Sequence, residues 1–150
     1  MREQPRGKFQ STHYSHLTRM TVIIEFMSTF SDVLEQLRDN QPTAKYGIAF
    51  EKLMVNYFRN DPTLSEEYTD VERFIDWIYY DGKSDTGIDL VARRREDDRW
   101  VAIQCKFYEP TAYLKKSDLD SFFEKSGRSF ATEDGRDSFA QRIVISTTDR

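Results

Sequence analysis

Only one cysteine, Cys105, occurs among the 150 residues. Its solitude excludes an intrachain disulfide framework and a zinc knuckle assembled from cysteines of one chain, and it suits a reducing, cytoplasmic setting. Glycine and proline are sparse, at 6 and 4 residues, and neither an internal repeat nor a low-complexity tract divides the chain. No apolar run approaches the ~20 residues that a membrane helix needs. The N-terminal residues also lack the apolar core of a signal peptide. Basic charge is not in excess: 22 Lys and Arg stand against 26 Asp and Glu, a net charge of −4. That disfavours a broad basic surface coating nucleic acid, while leaving room for a local site rich in carboxylates.

What is present supports one packed domain, since 38% of residues are apolar, 14% aromatic and 32% charged with mixed sign. A chain of this length buries about two-thirds of its unfolded surface. Met1 to about Met20 is polar and without period, and is expected to be a flexible tail (residues 1–20) ahead of a domain over 21–150. His13 and His16 share a His-x-x-His spacing but have no further ligand nearby, so they read as tail residues rather than a metal site.

From Thr21 to about Asn40 the apolar residues Ile23, Ile24, Met27, Phe30, Val33, Leu34 and Leu37 recur at helical spacing and predict an amphipathic packing helix. A second helix is expected from about Thr43 to Arg59, with Phe50, Leu53, Met54, Tyr57 and Phe58 as its buried stripe. Gly47 falls in that stripe, where it would permit close approach to a sheet. Glu51 borders the apolar arc, and spacing alone makes it a boundary residue with its carboxylate towards solvent.

Asn60 to Asp70 reads as a loop with one turn of helix, and Phe74 to Tyr80 as an aromatic, β-branched strand. After a turn at Asp81-Gly82, two short apolar runs follow: Leu90-Val91-Ala92, then Trp100 to Ile103 leading into Gln104, Cys105 and Lys106. The link Arg93 to Arg99 is charged, as a hairpin turn requires. Ser117 and Asp120 resemble a capping box for a helix with Leu119, Phe122 and Phe123 inward and Gly127 as its stop. Phe130 to Ser138 reads as a polar loop. Ile143-Val144-Ile145 is expected as a buried strand parallel to the Trp100 strand, across a right-handed crossover. The sum is an α/β mixed sheet flanked by helices on both faces, with an additional N-terminal helix.

The chemistry gathers between Asp85 and Lys106. Strand alternation sends Val101, Ile103, Cys105 and Phe107 one way and Gln104 and Lys106 the other. Asp89 starts the neighbouring strand, so its carboxylate, the Gln104 amide oxygen and the Lys106 ammonium can converge. Such a set suits a hard divalent cation, with the lysine orienting or activating a water. Gln104, being neutral, leaves the site one charge poorer than an acid would. Asp85, four residues before Asp89, reads first as a cap on its own turn and second as an accessory metal residue. Arg93, Arg94, Arg95, Lys115, Lys116, Lys125 and Arg128 are available to phosphates but interleave with Asp97, Asp98 and Asp120, so solvation accounts for most of them. Ser126 and Ser129 have no histidine or base partner in sequence, which leaves a serine hydrolase without support.

Gly87-Ile88-Asp89-Leu90 followed by Gln104-Cys105-Lys106 resembles the Mrr-like branch of the PD-(D/E)XK (restriction endonuclease-like) nuclease superfamily, in which glutamine replaces the middle acid. Asp85 to Ala92, Ala102 to Lys106, Asp118 to Phe130 and Arg142 to Thr148 look like the N-terminal nuclease domain of type ISP restriction-modification enzymes and related helicase-like proteins. The resemblance spans roughly residues 44 to 150. It implies a restriction endonuclease-like fold and a Mg²⁺-dependent DNA endonuclease, with Mn²⁺ as a substitute, acting on double-stranded DNA. It implies Asp89, Gln104, the Cys105 backbone carbonyl and Glu51 as metal ligands, and Lys106 as the catalytic lysine. Glu51 enters the site because nucleases of this superfamily place an acid of the first helix there. The resemblance further implies a fragment of a longer cytoplasmic polypeptide with helicase-like ATPase, methyltransferase and target-recognition domains. Two other classes stand beside it. One is a catalytically inactive nuclease-like domain that binds nucleic acid or neighbouring domains, and the other is a scaffolding domain built on the first helix.

Overall fold

The computed structural model describes residues 20–23, 28–40, 43–83, 87–109 and 111–148, with side chains described over 32–39, 46–83, 87–109 and 111–148. The expectations for His13, His16, the tail before Met20 and Asp85 lie outside them.

Among the described residues five strands form one mixed sheet in the order β1-β7-β4-β3-β2. They are β1 (Met20–Ile23), β2 (Tyr68–Arg73), β3 (Leu90–Arg94), β4 (Trp100–Lys106) and β7 (Gln141–Ser146). β3 and β4 make the expected antiparallel hairpin, with Leu90 opposite Ile103 and Ala92 opposite Val101. β7 lies parallel to β4, Ile143 beside Ile103 and Ser146 beside Lys106, as the crossover reading required. The inner strands are dry on both faces, which explains their continuous apolar runs.

The face toward α2 (Thr43–Asn60) carries Leu90, Ala92, Val101, Ile103, Ile143 and Ile145, packed against Phe50, Met54, Val55 and Phe58. The opposite face carries Val91, Ala102 and Val144, covered by Leu119 and Phe122 around α4 (Asp120–Ser126) and by Phe74 and Trp77. Helices thus cover both faces. Trp77 centres an aromatic cluster, its ring centroid 4.8 Å from Phe130 and 5.3 Å from Trp100.

Several elements differ from expectation. The first helix is α1 (Ser28–Asn40). Residues before it form β1, parallel to β7 with Val22 beside Val144, because the β-branched run at Thr21-Val22-Ile23 favours an extended chain. The turn of helix expected within Asn60 to Asp70 is α3 (Pro62–Glu67), whose N-cap Asp61 accepts from the N–H groups of Thr63 and Leu64 at 3.0 and 2.9 Å, but the expected loop ends early because β2 begins at Tyr68. The strand expected at Phe74–Tyr80 lies earlier, as β2, and Phe74–Asp76 is a 3₁₀ turn. β2 is an edge strand with an irregular register between Thr69 and Glu72, where Asp70 has a φ of 48°. Its alternation is therefore broken and its outer positions charged, as edge strands tolerate.

The expected polar loop over Phe130–Ser138 is a hairpin of β5 (Ser129–Thr132) and β6 (Gly135–Ser138). A 3₁₀ turn, Lys116–Asp118, leads into α4 in place of the Ser117 capping box, with the Asp118 carboxylate accepting from the Lys115 N–H at 3.0 Å. Phe123, expected inward, is exposed. Gly47 is also exposed, and a Cβ there would meet nothing within 4 Å, so close packing does not require glycine at that position. Gly87 does require it. Its φ is +71°, and a Cβ would lie 2.7 Å from Ser121 Oγ and 2.8 Å from the Phe122 nitrogen.

Candidate functional site

The site is built at the end of the sheet where β3 has just begun and β4 is about to finish. The close approach of Gly87 to the first turn of α4 sets the path of the chain into Ile88, which is buried on that same face. Asp89 follows. Its N–H donates to the Ile103 carbonyl at 2.9 Å, and its carbonyl accepts from the Phe74 N–H at 2.8 Å. Its carboxylate then takes over from the backbone, with Oδ2 accepting from the Cys105 N–H at 2.6 Å. One ladder bond is thereby replaced by a charge-assisted one, and the acid is fixed against the peptide joining Gln104 to Cys105.

That bond also orients the Cys105 carbonyl. In an extended strand the N–H and C=O of one residue point to the same side, and Ile103, two residues earlier, already offers its carbonyl to Asp89. The Cys105 carbonyl therefore faces the Asp89 side. The Lys106 carbonyl points the other way and accepts from the Thr147 N–H at 3.1 Å. The Tyr108 N–H donates to Thr147 Oγ1 at 2.7 Å, and that hydroxyl donates to the Tyr108 carbonyl, also at 2.7 Å. These bonds tie the end of β4 to the end of β7.

Gln104 is buried, and its side-chain oxygen has no hydrogen-bond partner. A buried amide oxygen left this way costs about 1–3 kcal/mol, which a cation or an ordered water in contact with it would offset. By alternation Gln104 and Lys106 share the face of Ala102, the α4 face, while Cys105 packs with the α2 face. Lys106 lies in the field of Asp118. The Asp118 carboxyl is held below its usual range, first by the Lys115 N–H and then by the Tyr108 hydroxyl and the charges of Lys106 and Lys115.

Glu51 projects from α2 on the other face. Its Oε2 accepts from Arg73 Nε at 3.0 Å, a pair whose side chains are 17% and 21% exposed. The Cys105 thiol registers both acids: burial, then the charges of Asp89 and of Glu51, push its pKa well above the ordinary value. The charges of Asp89 and Glu51 therefore both act on Cys105, while alternation puts Gln104 and Lys106 on the other face of β4. Arg73 was missed in the sequence. It ends β2 opposite Leu90, and recognising Tyr68–Arg73 as a strand would have brought it beside Asp89.

The donor set suits an oxygen-preferring cation: the Asp89 carboxylate, the buried Gln104 oxygen and the Cys105 carbonyl. Among the described residues no three His, Cys, Asp or Glu side chains gather to hold a metal, so the fit relies on neutral oxygens. Most of the basic residues considered for phosphate contact are engaged elsewhere. Arg93 pairs with Asp70 and Asp98, Arg94 with Asp97, Lys116 with Asp120, Lys125 with Asp81 and Arg128 with Glu124.

Comparison with known proteins identifies the family. The Mrr_cat_2 family model, described as a restriction endonuclease, matches residues 59–150, more than half of the chain and all of the site except Glu51. No curated protein matches. Among solved structures, the chain is similar to the ATP-dependent type ISP restriction-modification enzyme LlaBIII bound to DNA, at 29% identity and a TM-score of 0.51. That likeness covers 75% of this chain and only 6% of that one. With the family model spanning β2 through β7 and the Asp89, Gln104 and Lys106 positions together, the chain belongs to the Mrr_cat_2 restriction endonuclease family and carries its nuclease domain.

Proposed function

We propose that this chain is a divalent-cation-dependent DNA endonuclease domain that hydrolyses phosphodiester bonds at the Asp89 end of the sheet. The observation that carries the reading is the Asp89 carboxylate fixed on the Cys105 N–H, at a residue whose neighbour Gln104 keeps a buried, unpartnered side-chain oxygen. Asp89, the Gln104 oxygen and the Cys105 carbonyl would hold Mg²⁺ or Mn²⁺, with Glu51 joining directly or through water. When bound, the cation supplies charge neutralisation at the phosphate and lowers the pKa of a coordinated water.

The chain's own residues do the rest. Lys106 orients the attacking water, helps remove its proton and faces the charge that develops on the phosphate. Asp89 keeps its geometry because its hydrogen bond to Cys105 is made in the resting protein. The likeness to an ATP-dependent restriction-modification enzyme supports a cytoplasmic setting in which helicase-like ATPase, methyltransferase and target-recognition domains of a longer chain act with this one. Double-stranded DNA is then the substrate. A second reading, a nuclease fold that binds without cutting, draws on the scarcity of acids around Asp89 among the described residues.

Nicking of supercoiled plasmid in Mg²⁺ or Mn²⁺ and in EDTA separates the two. Wild-type chain is expected to nick only with the cation, and Lys106→Ala to lose roughly a hundredfold or more in rate, the usual share of a general acid–base group. Cation-dependent nicking undiminished in Lys106→Ala would remove Lys106 from the reaction, and EDTA-resistant nicking would remove the cation.

A further inference from the structure

Arg73 stands at the candidate site without a part in the chemistry above. It closes β2, sits opposite Leu90 in register and precedes Phe74, whose N–H donates to the Asp89 carbonyl. Its Nε bonds Glu51 at 3.0 Å, a contact using one of the five N–H donors of a guanidinium. The pair is about four-fifths buried, so salt screens it less than the surface pairs.

Two features make this pairing a resting state. Arg73 lies opposite Leu90 and next to Phe74, whose N–H holds the Asp89 carbonyl, so the acid it binds stands at the Asp89 end of the sheet while its charge is spent on an arginine. The guanidinium has the planar fork that suits a phosphate as well as a carboxylate. A duplex entering this end of the sheet brings phosphates to a place where two carboxylates already stand, and Arg73 is the cation that already holds one of them.

We infer that Arg73 is a phosphate-binding residue that holds Glu51 in the DNA-free chain and exchanges it for a DNA backbone phosphate, releasing Glu51 toward the cation donors. The inference rests on the proposed function and deepens it. It makes the two occupants of Arg73, the Glu51 carboxylate and the DNA phosphate, competitors. By linkage, DNA and a divalent cation assist each other's binding.

The test is a double-mutant cycle on DNA affinity, read by fluorescence anisotropy of a short duplex in EDTA, where neither cation nor cutting contributes. Glu51→Gln is expected to tighten duplex binding roughly threefold or more, because Arg73 no longer has a carboxylate to leave. Arg73→Gln is expected to weaken binding, and Arg73→Lys to recover part of the loss. In the Arg73→Gln background the gain from Glu51→Gln should vanish. An equal gain in that background would show a general charge effect, and no gain in either would show that Arg73 never meets a phosphate. Both results overturn the inference. If the wild-type chain binds duplex without cutting it in Mn²⁺, the proposed catalysis falls while the cycle still decides Arg73; if it binds no duplex, both fall.

Discussion

Cys105 feels the charges of both acids of the candidate site, Asp89 and Glu51, which makes it a reporter on them. Burial and the charges of Asp89 and Glu51 all disfavour its thiolate, so its pKa is raised. The folded chain therefore keeps a proton that the unfolded chain loses above about pH 8.5, the ordinary thiol value. This contribution to stability is intact at neutral pH and declines as the pH rises past that value. Disulfide-exchange reagents should modify Cys105 in the native chain far more slowly than a free thiol between pH 7 and 9. Asp89→Asn should speed the reaction by removing a negative charge. A native Cys105 that reacts like free cysteine would contradict the placement of both acids around it.

At the scale of elements, Gly87 joins the sheet to α4 at the residue pair that leads to Asp89. Gly87→Ala must place a Cβ against Ser121 and Phe122 at a φ of +71°, and is expected to cost about 1–3 kcal/mol in urea denaturation. An unchanged midpoint would show that α4 does not press on this loop. Asp61 tests α3 in the same way. Its carboxylate caps two N–H groups, so Asp61→Ala should lower stability by about 0.5–2 kcal/mol.

The elements legible from sequence were those with one uninterrupted period: β3, β4, β7 and the Phe50-Met54-Phe58 stripe of α2. β2 was misplaced because its Asp70, Glu72 and Arg73 obey the tolerance of an edge rather than the alternation of a half-buried strand, while Phe74 to Tyr80 borrowed strand-like residues for an aromatic cluster. β1 was absorbed into the first helix because Ile23 satisfies both periods. Asp89, Gln104 and Lys106 stand out as candidates in the sequence through strand alternation and a family resemblance. Arg73 was not, since nothing in its local sequence announces a partner 22 residues upstream.

Across the whole molecule, stability concentrates where both faces of the sheet are covered. Leu90, Val91, Ala92, Val101, Ala102, Ile103, Ile143 and Val144 are fully enclosed, whereas among the described residues β5 and β6 form a separate two-stranded sheet. Hydrogen exchange should accordingly be slowest in β3, β4 and β7 and fast in the β5–β6 hairpin. Equal protection of that hairpin would mean that the aromatic cluster at Trp77, Phe130 and Phe139 stabilises it far more than its area suggests. The candidate site stands at one end of the protected strands, which gives Asp89 a rigid support on β4.

The central claim is that cation-dependent cutting of DNA depends on Asp89. Its most direct test is single-turnover plasmid cleavage across a Mn²⁺ titration by the wild-type chain and by Asp89→Asn, which keeps the shape of the side chain and removes its charge. The account predicts saturable cation dependence in the wild type and loss of cleavage at every concentration in the variant. Cleavage by Asp89→Asn at the wild-type rate and with the same cation dependence would contradict it.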